Sequence, residues 1–130
     1  MEPIKILVAD DNRLLLAITK DALEAQGFQV IAVGSGLEVY KEVLAQRPHL
    51  ILLDIMMPEI DGIEVCRNLK RSPVTQDIVI VIHSAKRDMA LMDLAHAAGA
   101  EGFIIKSNQI EEMVTRIQEI VREKISPARA

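Results

Sequence analysis

The sequence is poor in aromatic residues and in cysteine. Among 130 residues there are two Phe, one Tyr and no Trp, so the core must be built from aliphatic side chains and methionine. The single cysteine, Cys66, excludes a disulfide within the chain and favours a reducing compartment. The chain is long enough for one domain with a well-buried core.

Long apolar runs and basic clusters are also missing. No apolar stretch approaches the roughly 20 residues that a membrane span needs, and the N-terminal segment has a strand pattern rather than that of a signal peptide. The formal net charge is −4, with both signs dispersed along the chain. This distribution argues against direct contact with nucleic acid or an anionic membrane. We therefore expect a soluble, cytoplasmic protein.

Two apolar runs each end in carboxylates. The run Leu50–Leu53 is typical of a strand buried on both faces, and Asp54 follows it directly. The run from Ile4 to Ala9 has the same character and is followed by Asp10 and Asp11. A charge next to a buried strand is costly anywhere except at the strand end, which predicts that these carboxylates lie at the edge of a sheet.

The hydrophobic periodicity predicts five strands alternating with five helices. This alternation, with short loops, indicates an α/β fold, a doubly wound five-stranded parallel sheet with helices on both faces. The predicted strands are 4–9, 28–33, 50–53, 78–82 and 101–105, and the predicted helices are 12–26, 36–46, 63–70, 88–98 and 109–125. We expect the domain to span residues 1–125 and residues 126–130 to form a flexible tail.

Local patterns also predict helix details. Capping boxes are predicted from Ser35 to Glu38 and from Asn108 to Glu111. The predicted apolar face of the first helix consists of Leu15, Ile18, Ala22 and Ala25.

Polar side chains follow four of the five predicted strands. They are Asp10 and Asp11, Asp54, Ser84 and Lys106. In a parallel sheet such ends converge on one edge, where ligands bind. Oxygen ligands suit a hard divalent ion, Mg2+ or Mn2+, and a carboxylate, a hydroxyl and an ammonium beside a metal can position a phosphoryl group.

These residues and the segments around them closely resemble the receiver domains of bacterial two-component and phosphorelay signalling. The matching pieces are Val8–Asn12, Leu52–Pro58 with Asp61–Gly62, Ser84–Ala85, Ala98–Ala100 and Lys106. The resemblance covers essentially the whole chain and implies a flavodoxin-like strand order, 2-1-3-4-5.

The resemblance also implies residue roles. Asp54 would accept a phosphoryl group from a histidine kinase or phosphotransfer protein, and Ser84 and Lys106 would contact the phosphoryl oxygens. Mg2+ would be bound by Asp11, Asp54 and the backbone carbonyl of Met56, with Asp10 helping through water. The output would be a downstream protein partner or a separate output domain.

Further positions follow from the same match. Phe103 corresponds to the aromatic switch residue that moves when Ser84 closes on the phosphoryl group. Met56 and Lys86 flank the expected phosphoryl position, where we expect them to tune the lifetime of the acyl phosphate. Ser107 departs from the family, which usually has proline after the lysine, often with a cis peptide bond, and this leaves the shape of the loop open.

Other functions are less well supported by the sequence. A receiver-like module that binds its partner without phosphorylation has only Ser107 in its favour. An aspartyl-phosphate hydrolase or transferase would place a general acid or base soon after its nucleophile, whereas Ile55 and Met56 follow Asp54. A flavin protein would need aromatic residues to stack on the ring. We therefore expect a signalling phosphoacceptor rather than an enzyme.

Overall fold

The computed structural model describes residues 3–125, in which five strands alternate with five helices. The strands are β1 (Lys5–Ala9), β2 (Gln29–Val33), β3 (Leu50–Leu53), β4 (Val79–Ser84) and β5 (Gly102–Ile105). The helices are α1 (Arg13–Glu24), α2 (Leu37–Gln46), α3 (Gly62–Arg71), α4 (Met89–Ala97) and α5 (Ile110–Lys124). The predicted tail, 126–130, lies outside the described residues.

The five strands form one parallel sheet in the order β2-β1-β3-β4-β5. This confirms the doubly wound fold and the 2-1-3-4-5 order. Strands β3 and β4 are buried along their whole length, as their continuous apolar sequences require. Because all five strands run in the same direction, the four polar strand ends lie at one edge of the sheet.

Successive residues of the strands pack alternately into two hydrophobic cores, one on each face of the sheet. On one face Leu7, Ile51 and Ile80 pack with α2, α3 and α4. On the other face Val8 and Leu52 pack with α1 and α5. Both cores are almost entirely aliphatic, with methionine and one buried cysteine filling the remaining space. Within residues 3–125, no helix combines the length and apolar character needed to cross a membrane.

The cap predicted for the second helix is wrong. Helix α2 begins at Leu37 after Gly36, and no side chain caps it. The backbone N–H of Glu38 instead donates to the carbonyl of Ser35, at 3.2 Å. A Cβ on residue 36 would collide with Ile60. Close packing against the β3–α3 loop thus fixes the start of α2, which moves Glu38 out of the position that a capping box requires.

The cap predicted for the last helix is also wrong. Helix α5 follows Gln109 rather than Asn108. The hydroxyl of Ser107 accepts the backbone N–H of Gln109 at 3.0 Å and lies 3.1 Å from a carboxylate oxygen of Glu112. Ser107 therefore stabilises the turn that precedes α5, whereas no side chain caps the helix itself.

Helix α1 is rotated relative to the prediction. Its buried residues are Thr19 and Leu23, whereas Ile18 is 42% exposed. Three consecutive leucines, residues 14–16, make the phase of the apolar pattern ambiguous. The packing of α1 against β2 and α5 selects one of the phases that the sequence allows.

Candidate functional site

The strand register brings the polar ends together. Ala9 lies opposite Leu53, so Asp10 and Asp54 follow neighbouring strands at the same level. Ser84 lies opposite Ile105, which places Lys106 one residue beyond it. Because β3 is the central strand, Asp54 has the end of β1 on one side and the end of β4 on the other.

Lys106 joins two of the carboxylates. Its Nζ lies 2.9 Å from Oδ2 of Asp10 and 2.9 Å from Oδ2 of Asp54. The side chains of the two aspartates are only 4% and 5% exposed, and that of Lys106 is 18% exposed. Asp54 is thus more deeply buried than a strand-end carboxylate is expected to be, and the lysine partly compensates its charge.

The second oxygen of each buried carboxylate faces the loop that follows its strand. Oδ1 of Asp10 accepts the backbone N–H of Asn12, and Oδ1 of Asp54 accepts that of Met56, both at 2.9 Å. These local bonds, with Lys106 on the other oxygen, restrict the rotation of both side chains. The two carboxylates are therefore held in defined orientations.

The electrostatics of the cluster favour a proton or another cation. Burial raises the pKa of Asp10, and the N–H of Asn12 and the charge of Lys106 only partly oppose this. Burial alone would lower the pKa of Lys106, but hydrogen bonds and charge interactions with Asp10 and Asp54 outweigh it and raise this pKa. Lys106 therefore stays charged.

Three carboxylates form a group that can hold a metal ion. Oxygen atoms of Asp10, Asp11 and Asp54 all lie within 4.8 Å of one another. Asp11 is exposed, in contrast to the other two. Three carboxylates beside one ammonium leave two negative charges in excess. An oxygen-only donor set with this charge fits Mg2+ or Mn2+.

Ser84 lies at the same edge but makes different contacts. It is fully buried, and its hydroxyl accepts the backbone N–H of Lys86 at 3.1 Å. The side chain of Lys86 is exposed, and that of Met56 is 52% exposed. Both side chains are therefore accessible to solvent.

Phe103 is not part of the acidic cluster. It lies opposite Ile82 in the sheet and packs half-buried on the α4 face. With Met92 and His96 it lines a cleft of about 170 Å³ between α4 and β5. Phe103 is thus accessible from this cleft.

No role is predicted from the sequence for His83, which the structure shows to be buried at the end of β4. Its side chain is 4% exposed, and burial, with the charge of Lys106, lowers its pKa to about 4, although Asp54 partly opposes this. A histidine directly after the apolar run Val79–Ile82 was the only available signal. By contrast, burial raises the pKa of Cys66 to about 11, so that thiol stays protonated and is not a nucleophile.

The loop after Lys106 has no cis peptide bond, and neither does the rest of residues 3–125. At the start of this loop, the backbone N–H of Lys106 donates a hydrogen bond to the carbonyl of Ser84, at 2.7 Å. Serine at position 107 is thus compatible with a lysine that reaches the acidic cluster.

The fold and the site together define a class: a doubly wound α/β domain with a lysine-bridged acidic cluster at the carboxyl edge of its sheet. The family model of the response regulator receiver domain matches residues 6–118. The chain therefore belongs to the response regulator receiver domains, the phosphoacceptors of two-component signalling.

Relatives agree with this assignment. The response regulator MprA of Mycobacterium sp. strain KMS is 31% identical over 120 residues, covering 92% of this chain and 51% of MprA. The chain thus spans about half the length of the curated relatives it matches. Family membership favours a phosphoacceptor over the hydrolase and over the phosphorylation-independent module.

Solved structures show the same fold. A CheY-like receiver domain protein from Methanospirillum hungatei JF-1 has a TM-score of 0.87 at 22% identity, covering 95% of this chain and 97% of that one. The phosphorylated cyanobacterial phytochrome response regulator RcpA has a TM-score of 0.83 at 24% identity, covering 97% and 96%.

Proposed function

We propose that Asp54 is the phosphoacceptor and that a histidine kinase or phosphotransfer protein is the donor. The observation that carries this proposal is the position of Asp54 at the end of the central strand, bound by Lys106 and beside Asp10 and Asp11. An Asp54 oxygen would attack the phosphorus of a phosphohistidine. The P–O bond forms as the P–N bond breaks, and the imidazole takes the bonding electrons.

Asp11, Asp54 and the backbone carbonyl of Met56 would hold Mg2+, with Asp10 acting through water; Mn2+ suits the same oxygens. When bound, the ion neutralises charge on the carboxylate and phosphoryl oxygens. The exposure of Asp11 and its position within 4.8 Å of the Asp10 and Asp54 carboxylates support this assignment.

Lys106, Ser84 and Phe103 would convert phosphorylation into a change of surface. Lys106 would leave its pair with Asp54 for a phosphoryl oxygen, and the Ser84 hydroxyl would donate to another. The backbone bond between Lys106 and Ser84 couples the two residues, and Phe103 lies on the same strand as Lys106. Lys106→Ala should therefore lose the conformational response more completely than it loses phosphorylation.

Met56 and Lys86 would set the lifetime of the acyl phosphate. Each backbone N–H already bonds a site residue, Asp54 and Ser84 respectively, so both side chains start next to the reacting group. The thioether of Met56 cannot orient a hydrolytic water, and Lys86 can shield the phosphoryl group. This favours slow loss of phosphate.

The domain would comprise residues 1–125 with 126–130 as a tail, acting in the cytoplasm. Its signal would reach a downstream protein partner or a separate output domain, without direct contact to nucleic acid or membrane. The dispersed charge of the chain supports this view.

Incubation with Mg2+ and acetyl phosphate, followed by intact mass, tests the assignment. The wild type should gain one phosphoryl group, and Asp54→Asn should gain none while keeping its fold. Asp88→Asn is the matched control, since Asp88 caps α4 and asparagine caps equally well. Uptake by Asp54→Asn at the wild-type rate would refute the proposal, and phosphate release over many turnovers would indicate a hydrolase.

A further inference from the structure

A polar cavity lies at the amino edge of the sheet, opposite the acidic cluster. It measures about 270 Å³ and is lined by Pro3, Lys5, Gln29, Gln46, Arg47 and His49. Lys5 and Asp10 are separated by the length of β1, about 16 Å at the usual rise per residue. The cavity is therefore separate from the acidic site.

Within residues 3–125, the side chains that line this cavity carry positive but no negative charge. The Nζ of Lys5 donates to the carbonyl of Gln46 at 2.8 Å, and its backbone N–H donates to Nδ1 of His49 at 3.0 Å. Within residues 3–125, neither Lys5 nor Arg47 forms an ion pair, and the cavity lining contains no carboxylate. Two cations facing one cavity favour an anion there.

An apolar cleft adjoins the cavity and shares Arg47 with it. The cleft measures about 110 Å³ and lies between the end of α2 and the α3–β4 loop. Two of its lining residues, Leu44 and Val74, are 55% and 57% exposed. An apolar lining beside a cationic one forms a surface with two chemically distinct halves.

The backbone at Arg47 gives independent support. Arg47 follows α2 with a φ of 49°, whereas the other positive φ angles within residues 3–125 belong to Gly27 and Gly99. Glycine is favoured at such positions because it has no Cβ to clash with the backbone. The arginine at this position adopts a strained backbone conformation, and it lines both the polar cavity and the apolar cleft.

We propose that this surface binds a short segment of a partner protein in which an aliphatic side chain stands next to a carboxylate. A cleft of about 110 Å³ suits one aliphatic side chain, since a cavity of about 150 Å³ accommodates benzene. The carboxylate would face Lys5 and Arg47, where a guanidinium can bind it through two parallel hydrogen bonds. The contact lies away from Asp54 and does not require phosphorylation.

Titration of the 15N-labelled protein with N-acetyl-Leu-Glu-amide tests this proposal by NMR. Saturable shifts should appear at the amides of Lys5, Arg47 and Val74. N-acetyl-Leu-Gln-amide, N-acetyl-Ala-Glu-amide and inorganic phosphate should each bind at least fivefold more weakly. Equal binding of phosphate would overturn peptide recognition, and absence of shifts at these amides would overturn the site.

Variants identify the cation responsible. Arg47→Asn keeps a residue that tolerates the left-handed backbone, so it should fold at least as stably while binding at least fivefold more weakly. Lys41→Gln removes one charge from an exposed position on the same helix and should bind normally. Equal losses of affinity in both variants would show that binding depends only on net charge, and this would refute the site. Asp54→Asn should bind like wild type, which separates this result from the phosphoacceptor assignment.

Discussion

Two lysines of nearly equal exposure lie at opposite ends of the sheet. The side chain of Lys70 is 17% exposed and that of Lys106 is 18% exposed. Lys70 bonds Glu101 at 2.7 Å and the carbonyls of Gln76 and Ile78, while the other oxygen of Glu101 accepts the N–H of Ile80. One positive charge meets one negative charge, and backbone groups complete the network.

Lys106 instead faces an excess of carboxylate. It bonds Asp10 and Asp54, and Asp11 lies within the same group. A balanced pair with backbone partners holds loops together, whereas the unbalanced cluster keeps negative charge available for a cation. Four experiments test whether the two regions differ in this way.

The first concerns pH and His83, which lies beside the unbalanced cluster and is influenced by Lys106 and Asp54. Its pKa is lowered from 6.5 to about 4. Between these values the unfolded chain binds a proton that the native His83 does not. The contribution of His83 to the free energy of unfolding should therefore fall as pH decreases from 6.5 to 4, by about 3 kcal/mol.

Urea denaturation at a series of pH values measures this effect. In His83→Val the free energy of unfolding should depend less on pH, whatever the effect of the substitution on stability at neutral pH. His96→Gln, at an exposed position, should leave the pH dependence unchanged. An equally steep dependence in His83→Val would show that other groups are responsible.

The second experiment compares the two lysines directly. Lys70→Met leaves the Glu101 carboxylate and two backbone carbonyls without their lysine partner. It should lower the free energy of unfolding by about 2 kcal/mol, less than for a fully buried pair because both side chains are partly exposed. Lys106→Met should also destabilise the metal-free protein, but Mg2+ should restore it by replacing the missing positive charge.

Thermal denaturation with and without Mg2+ checks this difference. Lys20→Met is the control, because the Lys20–Glu24 pair is about 40% exposed on each side chain and should contribute at most ~0.5 kcal/mol. If Mg2+ also restored the thermal stability of Lys70→Met, the proposed difference between the two regions would be refuted.

The third experiment divides the acidic cluster itself. Asp11→Asn should weaken Mg2+ binding by about tenfold or more, equivalent to about 1.4 kcal/mol. Asp10→Asn should have a smaller effect, because Asp10 is proposed to act on the ion only through water. Calorimetric titration with Mg2+ gives both affinities, and equal losses would contradict the unequal roles.

The fourth experiment addresses the exposed rim of the cluster. Met56→Asn should shorten the acyl-phosphate lifetime severalfold, because an amide can orient water that a thioether cannot. The measurement is the loss of phosphorylated protein in excess Mg2+ after removal of the donor. Met89→Asn, at an exposed position in the first turn of α4, provides a control. Unchanged or slower decay in Met56→Asn would refute the role.

Much of the fold could be predicted from local pattern. Continuous apolar runs specified β3 and β4, and a carboxylate directly after such a run specified an edge position, because burial of that charge inside the sheet is too costly. The parallel arrangement followed from the alternation of strands and helices. Asp10, Asp54 and Lys106 meet as predicted because the carboxyl ends of parallel strands share one edge.

What the sequence could not predict depends on contacts between distant residues. Gly36 starts α2 because Ile60 lies against it, and Lys70 meets Glu101 across 31 positions. The near-complete burial of Asp54 and His83 likewise depends on the loops and strands that surround them. A strand or a helix is set mainly by neighbouring residues, but burial, and with it the pKa and the available charge of a side chain, is set by whichever elements the fold packs around it.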